Sequence, residues 1–121
     1  MGKRILVSDD ETDVVETLKL RLEANGYQIT TTQGDKTLGE VRKTRPDLIL
    51  LDVMMPGMDG FAVIRELKRD PELSKIPVVI FSGKPKEAMM ELFGPEGISG
   101  YITKPYQPKE LLGQIEKIIG K

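Results

Sequence analysis

Five short apolar runs alternate with helix-like segments along the chain. The runs span Arg4–Ser8, Tyr27–Thr32, Leu48–Leu51, Val78–Phe81 and Gly100–Thr103. Their length and their content of β-branched and other apolar residues are typical of β-strands. The third and fourth runs are apolar throughout, as expected for strands that are covered on both faces of a sheet. The pattern therefore predicts five strands separated by helices.

The stretches between and after these runs predict five helices. They are Thr12–Asn25, Lys36–Lys43, a stretch marked by Phe61, Ile64 and Leu67 that ends near Asp70-Pro71, Pro85–Phe93 and the stretch that starts beside Pro108. Asn25-Gly26 is a favourable stop for the first helix, because glycine tolerates the left-handed conformation past a helix end. The second helix is weaker, because Gly39 costs about 1 kcal/mol relative to alanine in a helix interior.

Strict alternation of strand and helix predicts right-handed crossovers, a parallel sheet and helices on both of its faces. Five strands favour a flavodoxin-like α/β fold, doubly wound with strand order 2-1-3-4-5, over a Rossmann-like one. In that order the ligand crevice lies between the carboxyl ends of the first and third strands. We expect a single domain over residues 1–121.

The amino-acid composition limits the kinds of catalytic and binding site that the chain can form. Lys and Arg number 18 and Asp and Glu 19, so there is no basic excess of the kind that nucleic-acid binding requires. The absence of Cys and His excludes disulfides, thiolates, imidazole catalysis and Cys- or His-based metal sites. Carboxylates remain as the main metal ligands, and they favour hard cations such as Mg²⁺. Without a membrane-length apolar run or a signal peptide, we expect a soluble cytoplasmic protein.

Three carboxylates follow the two predicted strands that flank the crevice. Asp9 and Asp10 come after the first strand, and Asp52 follows the third. Taken singly, Asp52 is a turn residue, and either Asp9 or Asp10 is a helix cap. Taken together, they would repel one another in a partly dry site, and a bound dication relieves that repulsion. A fixed, shielded Asp52 is also a potential nucleophile towards phosphorus.

A hydroxyl and an ammonium are predicted at the same edge of the sheet. Ser82 closes the fourth strand before the small Gly83, and Lys104 closes the fifth strand before Pro105, which fixes the direction of the lysine. Ser82 serves either as a cap or as a donor to a phosphoryl oxygen, and the charge of Lys104 neutralises an anion. Tyr101 either fills space or acts as a switch between a buried and an exposed position. The isomer of the Lys104-Pro105 bond stays open.

Together these motifs resemble those of response-regulator receiver domains of two-component signalling. The resemblance extends over essentially all 121 residues. It is carried by Asp9-Asp10, by the segment Leu-Leu-Asp52-Val-Met-Met-Pro-Gly-Met-Asp-Gly, by Ser82-Gly83 and by Tyr101-Ile-Thr-Lys104-Pro105. Each motif is weak alone, but their order on this strand pattern is highly specific.

The resemblance implies that Asp52 accepts a phosphoryl group from a phosphohistidine on a partner kinase or phosphotransfer protein. It implies that Mg²⁺ is held by Asp10, by Asp9 through water, by Asp52 and by the backbone carbonyl of Met54. Ser82 and Lys104 would bind the phosphoryl oxygens. Tyr101 would turn inward as Ser82 moves, and the surface of the fourth helix, fifth strand and fifth helix would change for a downstream protein target.

Met54 and Lys84 occupy positions that influence hydrolysis of the acyl phosphate in this family. Met54 has no polar side chain to position water, and Lys84 adds a charge near the mouth of the site. We therefore expect slower hydrolysis than a polar residue at position 54 would allow. Two departures from the family pattern, Gly39 in the second helix and Ser99-Gly100 before Tyr101, suggest an atypical output face.

Two other classes of function compete with a phosphorylation switch. An aspartate-nucleophile phosphatase of the haloacid dehalogenase type needs a second Asp two residues after the nucleophile, where this chain has Met54. A phosphorylation-independent binding module of the same fold is disfavoured, because no residue essential to a phosphorylation site is missing from this chain. We expect no enzyme beyond the protein's own phosphorylation and dephosphorylation, and no direct binding of nucleic acid or insertion into a membrane. We expect either a stand-alone receiver or a piece of a longer protein.

Overall fold

Runs of apolar residues form the strands of a sheet, and amphipathic segments form the helices around it. The computed structural model describes residues 2–53 and 59–120. The strands are β1 (Arg4–Ser8), β2 (Gln28–Thr32), β3 (Leu48–Leu51), β4 (Val78–Ser82) and β5 (Gly100–Thr103). The helices are α1 (Thr12–Ala24), α2 (Thr37–Thr44), α3 (Gly60–Arg69), α4 (Lys86–Phe93) and α5 (Pro108–Ile119). The elements predicted from the sequence are thus confirmed in type and order.

All strand pairs are parallel, and the strand order is β2-β1-β3-β4-β5, as predicted. The register sets Ser8 of β1 beside Leu51 of β3, and Ser82 of β4 beside Thr103 of β5. These strands therefore end nearly level with one another. The residues that follow them emerge together at one edge of the sheet.

Alternation of side chains along the strands divides the core into two layers. One layer packs against α2, α3 and α4 and includes Leu6, Ile49, Leu51 and Ile80. The other packs against α1 and α5 and consists largely of Ile5, Val7, Leu48, Leu50, Val79 and Phe81 together with residues of those helices. Because both faces of the central strands are covered, β3 and β4 are buried along their whole length. Rigid, buried strands give the groups at their ends fixed positions.

Small shifts from the predicted bounds have local causes. Tyr27 precedes β2 as a buried residue whose hydroxyl donates to the carbonyl of Gly120 at 3.0 Å. A 3-10 turn at Gly34–Lys36 delays α2, and the hydroxyl of Thr37 donates to the Gly34 carbonyl at 2.8 Å. A second 3-10 turn, Gly94–Glu96, follows α4 and accounts for the irregular glycine-rich sequence there. Among the described residues, no helix has the length and apolarity to cross a bilayer.

Two helical glycines should respond oppositely to substitution by alanine. A Cβ on Gly39 would meet no atom within 4 Å, whereas one on Gly60 would lie 2.8 Å from the Cβ of Val53. We expect Gly39→Ala to raise the free energy of unfolding by about 0.5–1 kcal/mol, because alanine restricts the unfolded chain. Gly60→Ala should lower it by about 1–3 kcal/mol, because Val53 must be displaced.

Urea denaturation of the two variants and the parent measures both changes. The packing around α2 and α3 described above is wrong if both substitutions change stability in the same direction.

Candidate functional site

Three aspartates meet where β1 and β3 end. Asp9 extends the ladder beyond β1 by donating its N–H to the Thr32 carbonyl at 3.1 Å, and the N–H of Asp52 donates to the Ser8 carbonyl at 2.9 Å. Carboxylate oxygens of Asp9, Asp10 and Asp52 all lie within 4.8 Å of one another. Asp9 and Asp52 are buried, whereas Asp10 is exposed. The predicted convergence of the three acidic residues is thus present.

Lys104 reaches this acidic group from the end of β5. Its backbone N–H donates to the Ser82 carbonyl at 2.7 Å, which continues the pairing of β4 and β5 past the strand end. Its Nζ lies 2.7 Å from Asp9 Oδ2, 2.9 Å from Glu11 Oε1 and 3.0 Å from Asp52 Oδ2. Nζ also lies 4.9 Å from the centre of the Phe81 ring. The Lys104-Pro105 peptide, whose isomer the sequence left open, is cis.

The site holds more negative than positive charge. Burial raises the pKa of the Asp9 carboxyl, although hydrogen bonds from Lys104 and from the Glu11 N–H act against this shift. Burial alone would lower the pKa of Lys104, but its hydrogen bonds with Asp9, Glu11 and Asp52 outweigh burial and raise the pKa above its ordinary value. Lys104 is therefore a permanent cation, surrounded by more carboxylates than it can neutralise.

Ser82 lies at the end of β4, fully buried, and its Oγ accepts a hydrogen bond from the Lys84 N–H at 3.2 Å. Gly83 follows it, and a Cβ there would meet no atom within 4 Å, so the space beside the hydroxyl is open. Tyr101 pairs with Ile80 in the sheet and is half-buried against the core layer that faces α4. Burial raises the pKa of its hydroxyl.

An open cavity of about 500 Å³ leads from solvent to Asp52. Its lining combines the charged groups with apolar surface and consists of Asp10, Glu11, Val14, Asp52, Phe81, Gly83, Lys104, Pro105 and Tyr106. A small anion can therefore approach the buried carboxylate of Asp52 past Gly83 and the Lys104 ammonium. Such an approach suits transfer of a phosphoryl group, which depends on placement and on charge neutralisation.

The donor set also fits a hard divalent cation. Three carboxylates in close proximity provide the oxygen ligands that Mg²⁺ prefers, and the exposure of Asp10 leaves room for the waters that Mg²⁺ retains. The surplus of negative charge would be relieved by such an ion. The predicted ligand and modulating residue Met54 lies outside the described residues, so both of its roles remain predictions.

Three further residues that sequence reasoning passed over contribute to the site. Glu11 is the N-cap residue of α1 and pairs with Lys104, so the simple interpretation of Asp9 or Asp10 as the helix cap is wrong. Asp9 instead accepts the N–H of Glu11 at 2.9 Å. The buried hydroxyls of Ser8 and Thr37 lie 2.7 Å apart and tie the end of β1 to α2. Glu11 was detectable as a third consecutive acid after Asp9-Asp10, whereas the hydroxyl pair has no local sequence signal.

Comparison with known sequences decides the family. The response regulator receiver domain model matches residues 5–116. The chain belongs to this receiver domain family. The observed sheet order and the cluster of acidic residues agree with what the pattern of strands and helices predicted.

Similar proteins include a transcriptional regulatory protein, a DNA-binding response regulator and a solved receiver domain. The chain is 36% identical over 120 residues to the alkaline phosphatase synthesis transcriptional regulatory protein PhoP of Bacillus subtilis, covering 98% of this chain and 49% of PhoP. It is 41% identical over 117 residues to the DNA-binding response regulator MtrA of Mycobacterium tuberculosis, covering 95% of this chain and 50% of MtrA. This receiver domain therefore spans about half the length of these relatives.

The solved structure is the receiver domain of the sensor histidine kinase PA1611 from Pseudomonas aeruginosa PAO1. It superposes with a TM-score of 0.88 at 24% identity, with full coverage of both chains, and its description reports a magnesium ion coordinated in the active-site cleft. At this identity the likeness establishes the receiver fold alone.

Magnesium should stabilise this receiver domain through Asp10. A ligand that binds only the folded state raises the free energy of unfolding by ~1.4 kcal/mol when its free concentration is about ten times its dissociation constant. We therefore expect the melting temperature to rise by a few degrees in saturating MgCl₂, and Asp10→Asn to lose most of that rise.

Thermal denaturation followed by circular dichroism, with and without MgCl₂, measures this effect. Asp35→Asn is the control, because it removes the same charge from the exposed 3-10 turn before α2. An undiminished magnesium effect in Asp10→Asn would exclude Asp10 as a ligand.

Proposed function

We propose that Asp52 accepts a phosphoryl group from a phosphohistidine of a partner kinase or phosphotransfer protein, and that this modification switches the protein between two signalling states. The observation that carries the proposal is the position of Asp52. Its buried carboxylate lies at the end of an open cavity, with the Lys104 ammonium at 3.0 Å and two further aspartates beside it.

The transfer itself is a simple exchange of bonds. An oxygen of Asp52 forms a bond to phosphorus as the bond from phosphorus to the donor imidazole breaks, and the imidazole nitrogen keeps that electron pair. Lys104 then donates to a phosphoryl oxygen, and the space beside Gly83 receives the group. Bound Mg²⁺ would supply positive charge to the phosphoryl oxygens, held by Asp9, Asp10 and Asp52 as the resemblance implies.

Phosphorylation changes the charge at Asp52 and adds new hydrogen-bond acceptors. Ser82 is the group placed to respond, since its hydroxyl lies on the strand next to β3 and beside the open space at Gly83. We propose that Ser82 moves to donate to a phosphoryl oxygen and that Tyr101 turns further inward. The surface formed by α4, β5 and α5 would then present a different face to a downstream protein.

A phosphorylation-independent binding module is the alternative function for this fold. It is disfavoured because it gives no role to the cluster of carboxylates around Lys104. We propose no turnover of external substrates, since Met54 stands where an aspartate-nucleophile phosphatase needs its acid. We place the switch in the cytoplasm, where ATP-dependent kinases form phosphohistidine.

Acetyl phosphate with Mg²⁺ should phosphorylate the protein at one residue. Intact-mass spectrometry should reveal a single added phosphoryl group, and Asp52→Asn should abolish it because the attacking oxygen is replaced by an amide. Asp35→Asn should behave as the parent. An unchanged mass of the parent, or an unaltered extent of labelling in Asp52→Asn, would contradict the proposed function.

Ser82→Ala should separate phosphorylation from the switch. Because Asp52 and Lys104 are intact, the variant should still accept the phosphoryl group, but it lacks the hydroxyl that couples to Tyr101. We expect the chemical-shift change of the Tyr101 ring on phosphorylation to be largely lost, as measured by NMR of a protein labelled at tyrosine rings.

Thr103→Ala is the matched control, because Thr103 pairs with Ser82 in the sheet and carries the same hydroxyl. The signal of Tyr27, on the opposite side of the sheet, is the internal reference. A full Tyr101 response in Ser82→Ala would rule out the hydroxyl as the coupling group.

A further inference from the structure

Glu11 combines a helix-cap position with a side chain that does not cap. It occupies the N-cap of α1 with extended backbone angles, yet its side chain makes no hydrogen bond to the helix. Its carboxylate reaches instead to Lys104 Nζ at 2.9 Å. We propose that Glu11 is a positioning residue that occupies the hydrogen bond of Lys104 required by the incoming phosphoryl group, and so restrains phosphorylation. This inference rests on the proposed function.

The hydrogen-bond donors of the Lys104 ammonium are all in use. An ammonium has three N–H donors and no acceptor. In this structure the ammonium bonds to three carboxylates, those of Asp9, Glu11 and Asp52. Every donor is therefore occupied in the unphosphorylated protein. Lys104 can bind a phosphoryl oxygen only after one of these three bonds has been given up.

The solvent exposure of the three carboxylates indicates which hydrogen bond of Lys104 an incoming phosphoryl oxygen replaces. The side chains of Asp9 and Asp52 are 0% and 7% exposed, whereas that of Glu11 is 59% exposed. Releasing Asp9 or Asp52 would take the ammonium away from a buried carboxylate that water cannot readily solvate, which is costly. Release of Glu11 returns its carboxylate to water at little cost. Glu11 is thus the ligand that an entering anion displaces.

The position of Glu11 agrees with this role. Glu11 and Lys104 both line the cavity that leads from solvent to Asp52. The Glu11 carboxylate therefore lies on the entry route and binds the ammonium from that side. It stands where an oxygen of the donor must arrive, and its negative charge also opposes an anionic donor.

The backbone role of Glu11 is separate from its side chain. Its N–H donates to Asp9 Oδ1 at 2.9 Å, and this bond holds the buried carboxylate in place. Side-chain substitutions keep that N–H. They therefore release Lys104 without removing the backbone support of Asp9, and the site residues Asp9, Asp52 and Lys104 stay in position.

The test compares Glu11→Gln, Glu11→Asp and the control Glu23→Gln. Glu11→Gln removes the charged partner of Lys104, and Glu11→Asp keeps the charge but shortens the side chain by one methylene. Glu23 is an exposed acid about 18 Å further along α1, so its substitution removes the same charge away from the site. Thermal denaturation establishes that each variant is folded.

Two quantities are measured with Mg²⁺ present. The first is the rate constant for phosphorylation of Asp52 at limiting acetyl phosphate, followed by intact-mass spectrometry. The second is the dissociation constant of beryllofluoride, measured by ¹⁹F NMR. Beryllofluoride reports binding at the site without transfer of a phosphoryl group. In Glu11→Gln and Glu11→Asp we expect faster phosphorylation and tighter beryllofluoride binding, each by about two- to fivefold, as is typical of an exposed ion pair. Glu23→Gln should match the parent.

Two outcomes would overturn this inference, and a third would overturn the proposed function on which it rests. Unchanged values in Glu11→Gln would refute the role of Glu11. An effect in Glu11→Gln that is absent in Glu11→Asp, or equalled in Glu23→Gln, would assign the effect to net charge rather than to the contact with Lys104. A parent protein that neither gains a phosphoryl group nor binds beryllofluoride would instead refute the proposed function itself.

Discussion

The ammonium of Lys104 holds the site together. It bonds to the carboxylates of Asp9, which follows β1, and Asp52, which follows β3. Lys104 itself follows β5, which is separated from β3 by β4. Without this cation, the buried carboxylates of Asp9 and Asp52 would each lose an ionic partner, while the Asp10 carboxylate would still lie beside them. Burial of one charge without compensation costs several kcal/mol, so this interaction makes the acidic edge compatible with a folded protein.

The Lys104 ammonium neutralises only part of the negative charge at the site. The remaining negative charge determines what the site can bind. Four carboxylates, those of Asp9, Asp10, Glu11 and Asp52, face a single ammonium. Burial keeps the pKa of Asp9 raised despite its bond to Lys104. The surplus of negative charge favours binding of a divalent cation. The unfavourable free energy of burying charge at this edge of the sheet is offset by apolar packing in the two layers on either side of β3 and β4.

The sequence predicted the architecture well because the apolar runs and turn residues act locally. It predicted the convergence of Asp9, Asp52 and Lys104 because parallel strands carry their carboxyl ends to one edge. It missed the delayed start of α2, since a 3-10 turn at Gly34–Lys36 depends on a bond between Thr37 and Gly34. It also missed the role of Glu11, because an acid at a helix start is ordinarily explained by the helix alone. The contact with Lys104 joins distant parts of the chain, and the local pattern shows only that Glu11 is a third consecutive acid.

The central claim is that Lys104, together with the aspartates and a magnesium ion, stabilises a phosphoryl group on Asp52. A crystal structure of the protein with Mg²⁺ and beryllofluoride tests it most directly. The account predicts beryllium bonded to an Asp52 oxygen, magnesium bound by Asp10, and both Lys104 Nζ and Ser82 Oγ within about 3.2 Å of fluorine atoms. A complex in which beryllium is bound elsewhere, or in which Lys104 makes no contact with fluorine, would contradict it.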